Sequence, residues 1–172
     1  KNEIKLIKNG DKKMQLLLED LSNAKHHIHI EYFIIKDDTI GTKFLNVLCN
    51  KAKEGVQVKV VMDDVGSDIS SKMKRKLKDS GVELRKFMPV LFSRFTGKMN
   101  YRDHRKIAII DGKIGYVGGI NISDNYVNAN NTRYWRDTHT RIVGEAVRQL
   151  QILFFTTWDF VNEENVNISK DY

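Results

Sequence analysis

Apolar residues in the first half of the chain follow helical spacing and strand spacing in turn. Met14, Leu17 and Leu21 recur at intervals of three and four residues, which indicates one face of an amphipathic helix. Ile28 and Ile30 then alternate with polar residues, as in a strand. Continued along the chain, the pattern predicts helices at 11–25, 39–53 and 70–80 and strands at 27–35, 56–62 and 82–87. Strands that alternate with helices favour parallel pairing through crossover helices.

The second half of the chain predicts a different arrangement. Asp111-Gly112 separates two strand patterns, and such a dipeptide is typical of a tight hairpin turn. Residues 88–102 are irregular and contain Pro89, the single proline of the sequence. The remaining pattern predicts strands at 105–111, 114–118 and 136–143, a polar loop at 123–133 and a closing helix at 145–161. We therefore expect a single α/β domain over residues 1–172, with a mixed sheet flanked by helices.

Composition narrows the choice of partners. The formal net charge is +7, which favours polyanions such as nucleic acid or an anionic membrane surface. No apolar run approaches the roughly 20 residues of a transmembrane helix, and residues 1–10 lack the apolar stretch of a secretory leader. Cys49 is the single cysteine and lies in a helical apolar pattern, where the expected role is that of a small buried hydrophobe.

Residues 101–121 carry the pattern that indicates chemistry. His104 and Lys106 are two positions apart on a predicted strand, so their side chains project from the same face. Asp111 ends that strand, and Asn121 follows the Gly118-Gly119 pair. An imidazole can attack phosphorus, while a lysine and an amide can hold oxygens on which negative charge accumulates. The combination indicates phosphoryl-transfer chemistry centred on His104.

The spacing His-x-Lys-x4-Asp, followed by Gly-Gly-x-Asn, resembles the HKD motif of the phospholipase D superfamily. A longer series of matches is similar to bacterial cardiolipin synthases and covers most of the chain, at 30–33, 100–106, 114–122, 135–139 and 150–158. The resemblance implies an enzyme whose fold is one phospholipase-D-like lobe. Two such motifs complete a site in that family, so it also implies a second half, from the same polypeptide or from a homodimer.

The resemblance also assigns roles to individual residues. It places six in the catalytic group: His104, Lys106, Asp111, Asn121, Asp137 and Glu31. Asp111 is usually structural or supports the histidine in this family. Asp137, with Glu31 as a second candidate, is expected to orient His104 through its other ring nitrogen; for Glu31 a strand-end charge bonded to a neighbour is the competing interpretation. Substrate binding is assigned to Arg102, Gly118, Gly119 and Arg136.

The implied reaction joins two phosphatidylglycerol molecules to cardiolipin and glycerol through a phosphatidyl-histidine intermediate, with no cofactor and no metal ion. The expected partners are anionic phospholipid and the membrane surface, at the cell membrane of a bacterium. The domain itself is expected to be soluble, with any transmembrane segments outside it. The chain does not begin with methionine, which favours a fragment of a longer chain with two HKD motifs.

Residues 89–99 mix apolar and basic side chains just before the motif strand. Insertion into the lipid interface is one interpretation, and a loop packed on its own core or over the second half is the other. The expected membrane contacts are Val90, Leu91, Phe92, Arg94, Phe95 and Lys98.

Two other functions fit parts of the pattern. A homodimeric HKD phosphodiesterase acting on nucleic acid needs one motif per chain and favours positive charge. The match at 135–139 and the lack of a leader oppose it, so no nucleic-acid partner is expected. A non-catalytic half that binds a membrane or a partner chain is the third possibility, and the intact set of His104, Lys106 and Asn121 opposes that one.

Overall fold

The part of the chain that the structure describes is built around a seven-stranded mixed sheet. The structure, a computed structural model, describes residues 1–87, 102–128 and 134–170. Its strands are β1 (Asn2–Ile7), β2 (His27–Tyr32), β3 (Gln57–Asp63), β4 (Glu83–Phe87), β5 (Lys106–Ile110), β6 (Ile114–Gly118) and β7 (His139–Gly144). Its helices are α1 (Gly10–Ser22), α2 (Thr39–Lys53), α3 (Ser71–Asp79) and α4 (Val147–Lys170). The predicted α/β class is confirmed, and β1 is a strand that the sequence prediction missed.

The order of strands combines a parallel half and an antiparallel half. Parallel pairing joins β2, β3 and β4, the strands connected by α2 and α3. β5 and β6 form the predicted hairpin, and antiparallel pairing continues through β7 to β1 at the edge. The full order is β1-β7-β6-β5-β2-β3-β4. Because β5 pairs with β2, the motif strand lies beside the first parallel strand at the centre of the sheet.

The two faces of the sheet are covered by different helices. The larger core joins α1, α2 and α3 to one face and includes Ala108 and Ile110 of β5. α4 packs on the other face through Phe154, and its core includes Ile107 and Ile109. Residues at even positions around β5 therefore face α1, α2 and α3, and residues at odd positions face α4.

Two predicted boundaries differ from the observed ones. α4 begins at Val147 and extends to Lys170, beyond the predicted end at residue 161. Part of the predicted loop at 123–133 is a 3₁₀ turn, Asp124–Val127, whose first carboxylate accepts hydrogen bonds from the backbone N–H groups of Thr39 and Ile40 at 3.1 and 2.7 Å. This turn ties the segment that follows Asn121 to the start of α2. No helix in the described ranges is long and apolar enough to cross a bilayer.

Candidate active site

Phe33 and Ile34, the two residues that follow β2, contact the three residues that most strongly indicate phosphoryl-transfer chemistry. The Phe33 ring stacks on the His104 imidazole with 4.2 Å between the ring centroids. The Nζ atom of Lys106 lies 5.3 Å from the centroid of the same ring. The next residue, Ile34, donates its backbone N–H to the Asn121 side-chain oxygen at 3.0 Å. Phe33 and Ile34 therefore bring His104, Lys106 and Asn121 to one end of the sheet.

His104 and Lys106 share a face because they are two positions apart at the start of β5. His104 is exposed, while Lys106 is half-buried and its Nζ donates a hydrogen bond to the His104 carbonyl oxygen. Burial holds the pKa of Lys106 below its usual value, and the negative charges of Asp103 and Asp137 act in the opposite direction. An accessible imidazole beside a cation suits attack on a phosphodiester.

Asn121 is buried behind the Gly118-Gly119 turn. Its amide oxygen accepts from Ile34, so the NH₂ group is the part of the amide that can donate to a substrate oxygen. The turn is packed too closely for a side chain, because a Cβ atom at Gly119 would lie 2.2 Å from Oδ1 of Asp137. Gly119 also donates its backbone N–H to the Thr138 carbonyl at 2.9 Å. The two glycines therefore act through the packing that sets the position of Asn121.

Asp137 lies against Gly119, and its charge opposes the lowering of the Lys106 pKa by burial. Its Oδ1 atom accepts the backbone N–H of Thr138 at 2.7 Å. These contacts put a carboxylate at the same end of the sheet as His104. The expected role of Asp137 in orienting His104 stays a prediction.

Asp111 lies at the opposite end of β5 from His104. Seven residues of extended chain separate the two, a span of roughly 20 Å. Its carboxylate accepts the backbone N–H groups of Lys25, His26 and His27 at 2.9, 2.8 and 3.0 Å. Together with its φ of 53° in the hairpin turn, these bonds give Asp111 a structural part in the fold, and a catalytic role for it stays a prediction.

The Glu31 side chain projects from the face of the sheet that α4 covers. It is paired with Ile107 across the sheet and lies on the α4 side, where Thr157 donates to its Oε1 atom at 3.2 Å. The Nε atom of Arg105 lies 2.8 Å from the same oxygen. The contacts of His104 are instead with Phe33 and Lys106. Glu31 is therefore bonded to neighbouring side chains inside the fold, and its expected role in orienting His104 stays a prediction.

The residues assigned to substrate and membrane contact have different placements. Arg102 forms an ion pair with the buried Asp63, with 3.7 Å between Nη1 and Oδ2. Arg136 is exposed. The expected membrane contacts at 90–98 lie outside the described residues. Arg102 therefore has a partner within the fold, while Arg136 is accessible to a ligand.

Two buried groups behind the site were not singled out as functional from the sequence. The Ile120 backbone N–H donates to Nδ1 of His139 at 3.3 Å, so the proton of the neutral imidazole lies on Nε2. Burial, with Lys13 and Lys106 nearby, lowers the pKa of His139 to about 2. Lys13 is fully buried, which holds its pKa well below the usual value, and its Nζ lies 4.7 Å from the Tyr32 ring centroid. In the sequence, the signal for Lys13 was a lysine at a core position of the first helix.

Comparison with known proteins identifies the relatives of this chain. Residues 17–158 match the family model described as "Cardiolipin synthase, PLD-like domain". Cardiolipin synthase 2 of Bacillus anthracis is 46% identical over 166 residues, which cover 95% of this chain and 32% of the relative. The major cardiolipin synthase ClsA of Bacillus subtilis is 44% identical over 160 residues, which cover 92% of this chain and 33% of the relative. The chain thus spans about a third of the length of these relatives.

Solved structures confirm the fold at low sequence identity. NucT from Helicobacter pylori superposes with a TM-score of 0.69 at 14% identity, covering 92% of this chain and 97% of that one. Nuc from Salmonella typhimurium, a phospholipase D family member, gives 0.67 at 17% identity, with 92% and 95% covered. Phosphatidylserine synthase from Haemophilus influenzae gives 0.66 at 16% identity, with 86% and 34% covered. The fold and the family match together place this chain in the phospholipase-D-like domain family of cardiolipin synthases.

Proposed function

We propose that this domain supplies one half of the active site of a cardiolipin synthase-type phosphatidyltransferase. The proposal rests on one observation: His104, Lys106 and Asn121 all contact Phe33 or Ile34, the two residues that follow β2. A nucleophile, a cation and an amide donor at one accessible edge are the groups that phosphoryl transfer requires. The proposed substrate is phosphatidylglycerol, and the proposed product is cardiolipin, which the names of the relatives contain.

The chemistry follows from two histidines, one from each half. One imidazole attacks the phosphorus of phosphatidylglycerol, which forms a P–N bond as the P–O bond to glycerol breaks. The other histidine protonates the departing glycerol oxygen. It then removes the proton from a hydroxyl of a second phosphatidylglycerol, whose oxygen attacks phosphorus and breaks the P–N bond. Lys106 and the Asn121 amide stabilise the negative charge on the phosphoryl oxygens in both steps.

A second half of the site would dock on the α4 face of the sheet. α4 exposes Ile152 and Phe155 by 51% and 42%, and exposed apolar residues grouped on one helix face commonly mark an interface. Ile4 and Leu6 of β1 are also exposed. They alternate with Ile7 of the opposite core, so they lie on the α4 side. The relatives are about three times as long as this chain, which leaves room for such a half in the same polypeptide; a homodimer is the alternative.

The docking surface can be tested in the full-length polypeptide. We expect the double substitution Ile152→Ser, Phe155→Ser to lower the melting temperature and the activity, because the second half loses apolar contact. Val65→Ser alters an apolar residue that is also exposed but lies between β3 and α3 rather than on α4 or β1, and it should leave the melting temperature near the native value. Equal effects of the two changes would argue against docking on α4.

Anionic phospholipid and a bacterial membrane surface are the proposed partners, and the positive net charge of this chain supports both. The residues expected to enter the lipid interface, at 90–98, remain a prediction. Exchange of Phe92 and Phe95 for serine should weaken binding to vesicles that contain phosphatidylglycerol. Unchanged vesicle binding would contradict this part of the proposal.

The reaction is tested with the full-length polypeptide on phosphatidylglycerol vesicles in the presence of a chelator, with lipids measured by mass spectrometry. We expect cardiolipin and glycerol from the native protein and a loss of about 10³-fold or more in His104→Ala. His26→Ala is the matched control, since His26 is also an exposed histidine but lies at the opposite end of the sheet. If the native protein leaves the lipid unchanged, a parallel assay on single-stranded and duplex nucleic acid tests the phosphodiesterase alternative.

A further inference from the structure

Glu31 and Asp103 form a buried pair of carboxyl groups directly beside the segment that carries His104. Glu31 is 1% exposed and Asp103 is 7% exposed. The Nε atom of Arg105 lies 2.8 Å from Oε1 of Glu31 and 2.8 Å from Oδ1 of Asp103. Asp103 Oδ1 also accepts the backbone N–H of Arg105 at 3.0 Å. One arginine therefore bridges one oxygen of each carboxyl group.

The second oxygens of the two groups point to a shared proton. Among the described residues, Oε2 of Glu31 and Oδ2 of Asp103 are both buried and have no hydrogen-bond donor if both groups are ionised. Arg105 holds the other oxygens of the two groups together, and the pKa of each group is shifted by a hydrogen bond with the other. One proton between them satisfies both oxygens, and the pair then carries a single negative charge opposite the single positive charge of Arg105.

The electrostatics of the pair agree with this assignment. Burial, followed by the contact with Asp103, raises the pKa of Glu31 to about 9. Burial also acts to raise the pKa of Asp103, but the hydrogen bonds from Glu31 and Arg105 outweigh it and leave that pKa below its usual value. At neutral pH the proton therefore belongs to Glu31, and Asp103 is the carboxylate.

His104 depends on this pair because it lies outside the regular ladder. The ladder between β2 and β5 ends at the pairing of Tyr32 with Lys106, two residues after His104. Asp103 and Arg105 flank His104 in the chain. The Nε atom of Arg105 is bonded both to Glu31 of β2 and to Asp103. We propose that the proton shared by Glu31 and Asp103 fastens this segment to β2 and so positions His104 for the reaction. Glu31 is thus a positioning residue, and the effect on turnover rests on the proposed function.

Other charged and titratable groups near Glu31 could also affect the proton that Glu31 shares with Asp103. β3 places Lys59 and Asp63 on the same face, paired with Glu83 and Arg102 respectively. His29 of β2 is buried, which lowers its pKa to about 4, so it is neutral throughout the alkaline range. α4 contributes the uncharged Thr157. Arg105 and Asp103 are therefore the charged groups bonded to Glu31, and the alkaline loss of the proton leaves two carboxylates facing each other.

The test compares the pH dependence of cardiolipin formation by the full-length native protein, Glu31→Gln and the surface control Glu19→Gln. The amide introduced by Glu31→Gln can donate to Asp103 at any pH, as the protonated glutamate does. We expect the native protein and the control to lose activity as the pH rises through about 9, with Glu31→Gln keeping most of the native activity at neutral pH and losing less of it than the native protein in that range. Lys106 titrates in all three proteins, so the difference between the profiles isolates Glu31. Superimposable profiles of the native protein and Glu31→Gln would overturn the proposal.

A second measurement does not depend on turnover. Infrared spectra should contain the carbonyl band of a neutral carboxyl group in the native protein at neutral pH, and Glu31→Gln should lack it. The imidazole resonance of His104, identified by its absence from His104→Ala, should shift above a pH of about 9 in the native protein and remain constant in Glu31→Gln. Absence of the band, or a His104 shift that is unchanged in Glu31→Gln, would overturn the proposal. A native protein that shows the band but forms no cardiolipin would contradict the proposed function alone.

Discussion

The two ends of β5 both carry residues of the HKD motif, and they differ in how their polar groups are used. At the end of the strand, the Asp111 carboxylate accepts three backbone N–H groups, so its hydrogen bonds hold the hairpin to the segment before β2. At the start, His104 is exposed and rests on Phe33. A charge satisfied inside the fold contributes to stability, whereas an accessible imidazole can meet a substrate. A single motif can therefore combine a structural residue and a chemical one.

Among variants that keep His104, the largest effect should follow removal of the cation at the start of β5. We expect Lys106→Ala to lower kcat/KM by about 10²–10³-fold, or about 3–4 kcal/mol of transition-state stabilisation, because the phosphoryl oxygens lose a charged donor. Lys113→Ala is the matched control, since Lys113 is an exposed lysine in the hairpin turn at the other end. Steady-state kinetics on phosphatidylglycerol measure both, and equal losses would remove the distinction between the two ends.

The next effect should be on stability rather than on chemistry. Asp111→Ala should lower the free energy of unfolding by about 2–3 kcal/mol, because three N–H groups lose a charged acceptor and alanine tolerates the positive φ poorly. Asp111→Asn keeps an acceptor and the backbone conformation, so it should cost about 1 kcal/mol. Denaturant unfolding measures this, and the activity of the folded fraction should stay near native. A variant that is stable yet inactive would support a catalytic role for Asp111.

The stability that Asp111 contributes should depend on pH. Burial acts to raise the pKa of Asp111, but the backbone N–H groups of His26, Lys25 and His27 outweigh it, and the pKa is lowered. The stabilisation from Asp111 should therefore be complete above its unfolded pKa and be lost as the pH falls through its lower folded value. The stability difference between the native protein and Asp111→Asn should shrink in that acidic range.

A smaller effect should come from the turn that positions Asn121. Gly119→Ala forces a Cβ atom against the Asp137 carboxylate, and we expect activity to fall about tenfold as Asn121 shifts. Asp137→Ala in the same protein removes the clash, so the double variant should lose less than the product of the two single losses. If the loss in the double variant equals the product of the two single losses, the contact between Gly119 and Asp137 has no influence on the site.

The smallest effect should come from the ring beneath His104. Phe33→Leu removes the stacking on the imidazole and the aromatic face near Lys106, and we expect a loss of about 1 kcal/mol, or about fivefold, in kcat/KM. Phe33→Tyr retains the ring and should remain close to native. If leucine performs as well as phenylalanine, the stacking is packing without catalytic consequence.

Sequence patterns predicted most of the fold because each half of the chain follows one periodicity. Alternation of helices and strands indicated the parallel strands β2 to β4, and Asp111-Gly112 indicated the hairpin, whose two residues have φ of 53° and 64°. β1 was missed because its apolar residues Ile4 and Leu6 are exposed at the sheet edge, where the pattern carries little core signal.

By itself the sequence determined the chemical inventory of the site: the side chains near His104, the face that His104 shares with Lys106, and the turn before Asn121. Local spacing suffices there because side-chain direction alternates along a strand. Only the tertiary structure decided which residues meet across the sheet. It placed Phe33 under His104, separated Asp111 from the site by the length of β5, and turned Glu31 toward Asp103 on the face that α4 covers. Those distances depend on strand register and on burial, which join residues far apart in the chain and leave no periodic mark in its sequence.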